Sequence, residues 1–184
     1  MGHQPPVVVL MSGGLDSTAL INFYLRRRAN VKCVHFQYGQ PNSLSEAKAV
    51  KEVSEYYGVE ARVAELQFPL MTRQNELVGR NTAFVLGASC LGQPPTRIAL
   101  GIHSGTEYYD CSKWFVDDCQ RILDGYFGGT VRVEAPFLNF GKGGIAEYCK
   151  ANDVPIHLTY SCQRQNYPPC GACSSCQDRT KFVG

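Results

Sequence analysis

Val7-Val8-Val9-Leu10-Met11-Ser12-Gly13-Gly14-Leu15-Asp16-Ser17-Thr18 is the stretch that decides the fold of this chain. Val7 to Met11 is a short apolar run suited to a buried strand. It stops at Ser12-Gly13-Gly14, after which Leu20, Ile21, Phe23 and Tyr24 recur at helical spacing. A strand that passes through two glycines into a helix N-terminus builds an anion site. Glycine lets backbone N–H groups turn inward without a Cβ in the way, and the helix contributes the positive end of its dipole. Ser12 and Ser17 can add hydroxyl donors, and Asp16 is placed to hold a metal ion that phosphates share. Both the Walker pattern and G-x-G-x-x-G are absent.

Outward from this loop, strands and helices alternate. Val31–Gln37 reads as a second strand. Ser43 and Glu46 fit a capping box that opens a helix carrying Ala47, Val50, Val53 and Tyr57 and closed by Gly58. Val59–Leu66 is a third strand, and an irregular stretch runs from Phe68-Pro69 to Gly79. A helix is expected over Asn81–Leu91, stopped by Gly92 and Pro94-Pro95. Arg97–Ile102 is a fourth strand. Ser112 caps a helix carrying Phe115, Val116, Cys119, Ile122 and Leu123, which ends at Gly128-Gly129. Val131–Glu134 is a fifth strand, and a short helix covers Ile145–Ala151. This alternation predicts an α/β fold, a parallel sheet of about five strands with helices on both faces. Ligands bind such sheets beyond the carboxyl ends of the strands. Each candidate functional stretch follows a strand: Ser12–Ser17, Tyr38–Gln40, His103–Asp110 and Pro136–Lys142.

The chain has 184 residues, enough for one domain with a full core; 44% are hydrophobic and 18% charged, ordinary for a soluble globular protein. A net charge of +2 argues for no particular partner. The one basic cluster, Arg26-Arg27-Arg28, falls at the expected end of the first helix, where cations suit the dipole. No stretch has the length of a membrane span, so no membrane partner is expected. Of the nine cysteines, four fall between Cys162 and Cys176 and the other five scatter through expected core elements, a distribution suited to a reducing cytoplasm and one metal site. Cys162, Cys170, Cys173 and Cys176, closely spaced within loop residues, suit tetrahedral, structural Zn2+, with every position filled by sulfur. An iron–sulfur cluster can take the same ligands, but nothing else in the chain is redox-like. His157 is near enough in sequence to compete as a ligand.

Ser12-Gly13-Gly14-Leu15-Asp16-Ser17 resembles the S-G-G-x-D-S signature of the PP-loop ATP pyrophosphatases, which implies cleavage of ATP to AMP and pyrophosphate. With Phe36-Gln37-Tyr38-Gly39-Gln40 and Glu46, Gly79-Arg80-Asn81, Tyr109-Asp110-Cys111 and the cysteine knuckle with Arg179, the chain resembles the 7-cyano-7-deazaguanine synthases, the queuosine-pathway family of that group. The similarity runs from Val7 to about Lys181. It implies a PP-loop domain over residues 1–158 and a zinc knuckle over 159–184 packed on it. It also implies that ATP, with Mg2+, adenylates the carboxylate of 7-carboxy-7-deazaguanine, that ammonia gives the amide, and that a second ATP yields the nitrile. The cations implied on phosphate are Arg80 and Lys142, beside the catalytic Asp16; Tyr38, Gln40, Glu46, Asn81 and Asp110 are implied on the substrate. A homodimer is also implied.

The chain departs from the family pattern at Gln37, where the family has aspartate, at Pro41-Asn42-Ser43, where it has basic residues, and at Gly144, where PP-loop enzymes have an acid after the lysine. Two loops flanking the expected pocket are shorter than usual. A sister reading therefore passes the activated carboxylate to another amine, such as a protein, in a conjugation or defence role. The reading of a different class is a zinc-knuckle RNA-binding protein with a vestigial loop; near-neutral charge and the intact Asp16 speak against it, so nucleic acid is not expected as a partner.

Overall fold

The computed structural model describes residues 5–67, 72–73, 76–91 and 96–183. In chain order the strands are β1 (Val7–Leu10), β2 (Val31–Gln37), β3 (Glu60–Glu65), β4 (Thr72–Arg73), β5 (Glu76–Leu77), β6 (Thr96–Ala99) and β7 (Val131–Glu134). The helices are α1 (Leu15–Leu25), α2 (Ser43–Tyr57), α3 (Arg80–Leu91), α4 (Lys113–Phe127), α5 (Lys142–Ala151) and α6 (Ser174–Phe182). Five strands form one sheet in the order β3-β2-β1-β6-β7, every pairing parallel. The order reverses between β1 and β6, which opens a crevice at their carboxyl ends.

Alternation along β1 divides the core. Val7 and Val9 face a cluster with Leu20 and Ile21 of α1, Val50 and Val53 of α2, and Ile145 and Cys149 of α5. Val8 and Leu10 face the other side, where Val85 of α3 and Phe115, Cys119 and Leu123 of α4 pack on the sheet. The helix after the glycines is buried nearly all round, so Leu20, Ile21 and Tyr24 mark no single stripe and Phe23 is only partly buried. Among the scattered cysteines Cys33, Cys119 and Cys149 are buried, but Cys90 is exposed.

Four expectations need correction. The capping box at Ser43 does not form. Asn42 stands at the cap and Ser43 is already helical, while the Glu46 carboxylate accepts from the side chains of Gln40 and Asn42. The stretch before Gly79 contains a two-stranded ribbon, β4 with β5, in antiparallel register. The last helix of the α/β unit begins at Lys142, three positions before Ile145, because Gly141 adopts the extended N-cap conformation. The knuckle is not all loop: Cys173 is the N-cap of α6 and Cys176 lies inside it. The expected stops at Phe68-Pro69, Gly92 and Pro94-Pro95 lie outside the described residues.

Gly13 is the tightest point of the fold. Its φ is +75°, and a Cβ there would lie 2.9 Å from the Glu46 carbonyl oxygen and 3.0 Å from the Ala49 Cβ. Gly13→Ala therefore combines a left-handed backbone cost with overpacking against helix backbone, about 2–4 kcal/mol together. Chemical denaturation should register that loss as an earlier midpoint with an unchanged slope.

Candidate active site and metal cluster

A cleft of about 1470 Å³ opens at the carboxyl ends of the strands. Ser12, Gly14, Leu15, Asp16 and Ser17 line it, together with Tyr38, Gln40 and Glu46 from the β2–α2 segment. Arg80 and Asn81 at the start of α3, Asp110 and Lys142 complete the set expected from the sequence. Gly13 is the exception: it lies against α2, where its role is to let two backbones meet.

The glycine loop braces itself. Ser12 N–H donates to the Ser17 Oγ, Gly14 N–H donates to the Ser12 Oγ, and the Ser17 hydroxyl donates to the Gly14 carbonyl, each at 3.2 Å. Ser17 is thus committed within the loop, and Ser12 is the hydroxyl exposed to the cleft. No side chain caps α1 at Gly14 or α5 at Gly141, so the two helices bring uncapped N-termini to the same cleft. Lys142, the first residue of α5, donates to Asp16 Oδ2 at 2.5 Å. Asp16 Oδ1 is buried without a hydrogen-bond partner among the described residues, which fits a carboxylate kept for a cation.

The β2–α2 segment forms a second cluster. Gln40 receives Tyr38 N–H at 2.9 Å and donates to Glu46 Oε2 at 2.8 Å; Asn42 donates to Glu46 Oε1 at 2.9 Å. Burial pushes the Glu46 carboxyl up, against the opposing pull of the Gln40 amide, His35, the Asn42 amide and Arg80. Burial likewise raises the Tyr38 phenol, against the Arg80 guanidinium beside it. His35, which the sequence reading passed over, is fully buried in the cleft wall and donates from Nδ1 to the Met11 carbonyl at 3.0 Å. Asp110 is buried in the short 3-10 turn at 109–111, and the Cys111 thiol donates to its Oδ1 at 3.7 Å. The cap of α4 is Ser112, whose Oγ accepts from Phe115 N–H at 3.2 Å.

Cys162, Cys170, Cys173 and Cys176 place their sulfurs within 4.8 Å of one another. A tetrahedral zinc with bonds of about 2.3 Å sets its sulfurs about 3.8 Å apart, so the group fits a metal ion with little closure. Exposed His157 is not part of it. Burial pushes the Cys162 thiol up, but backbone N–H groups of Cys170, Arg164 and Gln165 outweigh it and bring it down to about 6, favouring the ligating thiolate. Hydrogen bonds tie the knuckle to the phosphate loop and to α2; one runs from Tyr167 N–H to the Ser45 Oγ at 2.8 Å. Tyr160 N–H donates to the Gly13 carbonyl at 2.9 Å, Asn42 to the Cys162 carbonyl at 2.7 Å, and Ser45 N–H to Asn166 Oδ1 at 2.9 Å. Asn42 is a second residue the sequence reading missed. It stood in view only as a departure from a family pattern, since its partner lies 120 positions away.

A parallel sheet entered through a Ser-Gly-Gly loop, with the site at the strand reversal, defines the PP-loop class of α/β proteins. NMN synthetase from Francisella tularensis shares the fold at a TM-score of 0.51 and 17% identity, over 96% of this chain and 76% of that one. Within that class the chain belongs to the family described as queuosine biosynthesis protein QueC, whose family model matches residues 6–85 and 71–183. A 7-cyano-7-deazaguanine synthase from Desulfitobacterium hafniense is 32% identical over 202 residues, covering 95% of this chain and 86% of its own. One from Aquifex aeolicus is 28% identical over 217 residues, covering 100% of this chain and 98% of its own. Both alignments are longer than this chain of 184 residues, so the relatives carry segments that it lacks. Among the described residues no helix is long and apolar enough to cross a membrane.

The cluster geometry leads to a measurable outcome. Elemental analysis of purified protein should find about one metal ion per chain, and Cys173→Ser should lose it. Hydrogen exchange should then quicken first in α6 and next at Tyr160, because metal affinity in such a knuckle is folding free energy.

Proposed function

We propose that the chain is an AMP-forming, ATP-dependent carbon–nitrogen ligase that converts 7-carboxy-7-deazaguanine and ammonia to 7-cyano-7-deazaguanine. The observation that carries the reading is the convergence in one cleft of the Ser12–Ser17 loop, the Asp16–Lys142 pair and the Glu46 and Asp110 carboxylates. The names of the relatives support the same reaction.

The chemistry asks for a site that holds anions and excludes water more than for a strong nucleophile. A substrate carboxylate oxygen attacks the α-phosphorus of ATP, and pyrophosphate leaves. Ammonia then adds to the acyl carbon; AMP departs with the C–O electron pair, and one proton is lost to give the amide. A second ATP takes the amide oxygen in the same way, and loss of AMP with the remaining N–H protons leaves the nitrile. In this scheme the N-termini of α1 and α5 face the phosphates, with Ser12 as a hydroxyl donor, and Lys142 and Arg80 neutralise charge that builds on phosphoryl oxygens. Mg2+, held by Asp16 together with the phosphates, supplies further charge neutralisation when bound. Asp110 accepts from the N1–H and exocyclic amine of the guanine-like edge, while Tyr38, Gln40, Glu46 and Asn81 shape the rest of the pocket. The four thiolates hold structural Zn2+ and fasten residues 159–184 to the ATP-binding unit over 1–158.

Chromatography of spent nucleotide should find AMP and pyrophosphate; ADP as the main product rules the reading out. Asp16→Asn should lower turnover at least about a hundredfold, well beyond its cost in stability, since the amide oxygen can still accept from Lys142 although the charge pairing is lost. Asp110→Ala removes an acceptor from buried donors, a loss of about 1–3 kcal/mol. Its KM for the carboxy-deazaguanine should therefore rise about tenfold or more while ATP affinity holds.

One observation favours a second reading. The cleft is large and the relatives carry segments this chain lacks, so an amine bulkier than ammonia, on a peptide or protein, has room to approach the activated carboxylate. Mass spectrometry of products formed with ammonia alone separates the two: a nitrile, 7-cyano-7-deazaguanine, supports the first, and a stalled acyl-adenylate supports the second.

A further inference from the structure

His103 stands just past the carboxyl end of β6, at the reversal of the sheet, and lines the cleft beside the phosphate loop. Its neighbourhood is closely built. Gly101, two residues earlier, lies against the first turn of α1; a Cβ there would come within 3.2 Å of the Ser17 nitrogen. On the other side, Ser104 donates from both its N–H and its Oγ to the Phe140 carbonyl, at 3.2 and 3.0 Å, which clamps the loop to the turn that opens α5. The loop that carries the ring is therefore held between the N-termini of α1 and α5, the two helix ends that carry Asp16 and Lys142.

Its tautomer follows from one hydrogen bond. Gly105 N–H donates to His103 Nδ1 at 3.0 Å. A backbone amide can only donate, so Nδ1 carries its lone pair and the neutral ring bears its proton on Nε2. Burial lowers the ring's tendency to protonate; Asp16 and Asp178 pull the other way, and Lys142 adds to the lowering. The outcome is a donor of fixed direction that carries no formal charge. Lys142 differs, because it is already engaged with Asp16 and brings that carboxylate's charge along with its own. Phosphoryl oxygens approaching the two helix ends thus meet two kinds of donor, a cation partly offset by its partner and an uncompensated N–H.

We propose that His103 is a nucleotide-binding residue whose Nε2–H donates to a phosphoryl oxygen of ATP and of the AMP ester formed from it. The assignment rests on the AMP-forming reading of the cleft, and the experiment separates the two. Titration calorimetry with magnesium ATP on the unaltered protein comes first; absence of binding there overturns the ATP reading itself. With binding established, His103→Ala should weaken ATP affinity about tenfold, with the melting temperature of the unliganded protein held. His103→Gln sets an amide N–H near the position of Nε2 and should recover affinity to within about threefold. His103→Asn sets its amide near Nδ1 and should not. ATP affinity equal to the unaltered protein in His103→Ala, an equal loss in His103→Gln, or recovery in His103→Asn as good as in His103→Gln overturns the inference. If His103→Ala fails to fold, the contrast between Gln and Asn decides alone.

Discussion

The missing side chain at Gly13 is the constraint from which the site is assembled. With no Cβ in the way, the α2 backbone at Glu46 and Ala49 packs directly on the phosphate loop, and the Gly13 carbonyl is free to accept from Tyr160 at the entrance to the knuckle. Three segments far apart in sequence thus meet on one peptide unit. Because interiors pack like solids, the position of that unit passes without slack to its neighbours. The turn that aims the loop amides also fixes the height of Glu46 in the pocket and the starting point of the metal-binding segment.

Electrostatics in the cleft trade stability for function. Lys142 and Asp16 are both largely buried, with side-chain exposures of 23% and 22%. Taking two charges out of water costs several kcal/mol per ion before their attraction is counted, so such a pair is weak evidence of stabilisation. Asp16 also leaves one oxygen, and Arg80 its Nε, without a hydrogen-bond partner among the described residues. A chain selected for stability alone would satisfy or remove these groups. Their retention around one cleft is the signature of a site prepared for charge that arrives from outside.

Where local chemistry decides conformation, the sequence was a sufficient guide. The Val7–Met11 run, the glycine turn, the five parallel strands and the cap at Ser112 all follow from patterns within a few residues. Two of the misreadings share one cause. Ser43 and Glu46 satisfy the capping-box pattern, yet Glu46 turns to Gln40 and Asn42, and Asn42 is itself held by Cys162. The α6 segment Ser174–Phe182 has no apolar period to betray a helix. It is positioned by two of the four cysteines and by Arg179, which donates to the Thr159 Oγ1 at 2.7 Å and the Ile156 carbonyl at 2.9 Å. In each case a partner distant in sequence overrides the local preference. His103 opened a candidate stretch but drew no role of its own for a related reason, since its direction and tautomer come from Gly105 and its setting from α1 and α5.

The same network bears on why a metal knuckle accompanies this pocket. The Asn42 amide donates to Glu46 on one side and to the carbonyl of Cys162 on the other. Only two side-chain protons are available on that nitrogen, so together these bonds fix the orientation of the amide. A ligated Cys162 holds its own carbonyl in place; the carbonyl then holds Asn42, and Asn42 with Gln40 presents the Glu46 carboxylate to the cleft at a set angle. Removing the knuckle would free the Asn42 amide to turn away from Glu46, whose burial already pushes it toward the neutral form. The knuckle thus supports the pocket through Glu46 as well as lining part of the cleft. It steadies a carboxylate that lies two hydrogen-bonded steps away.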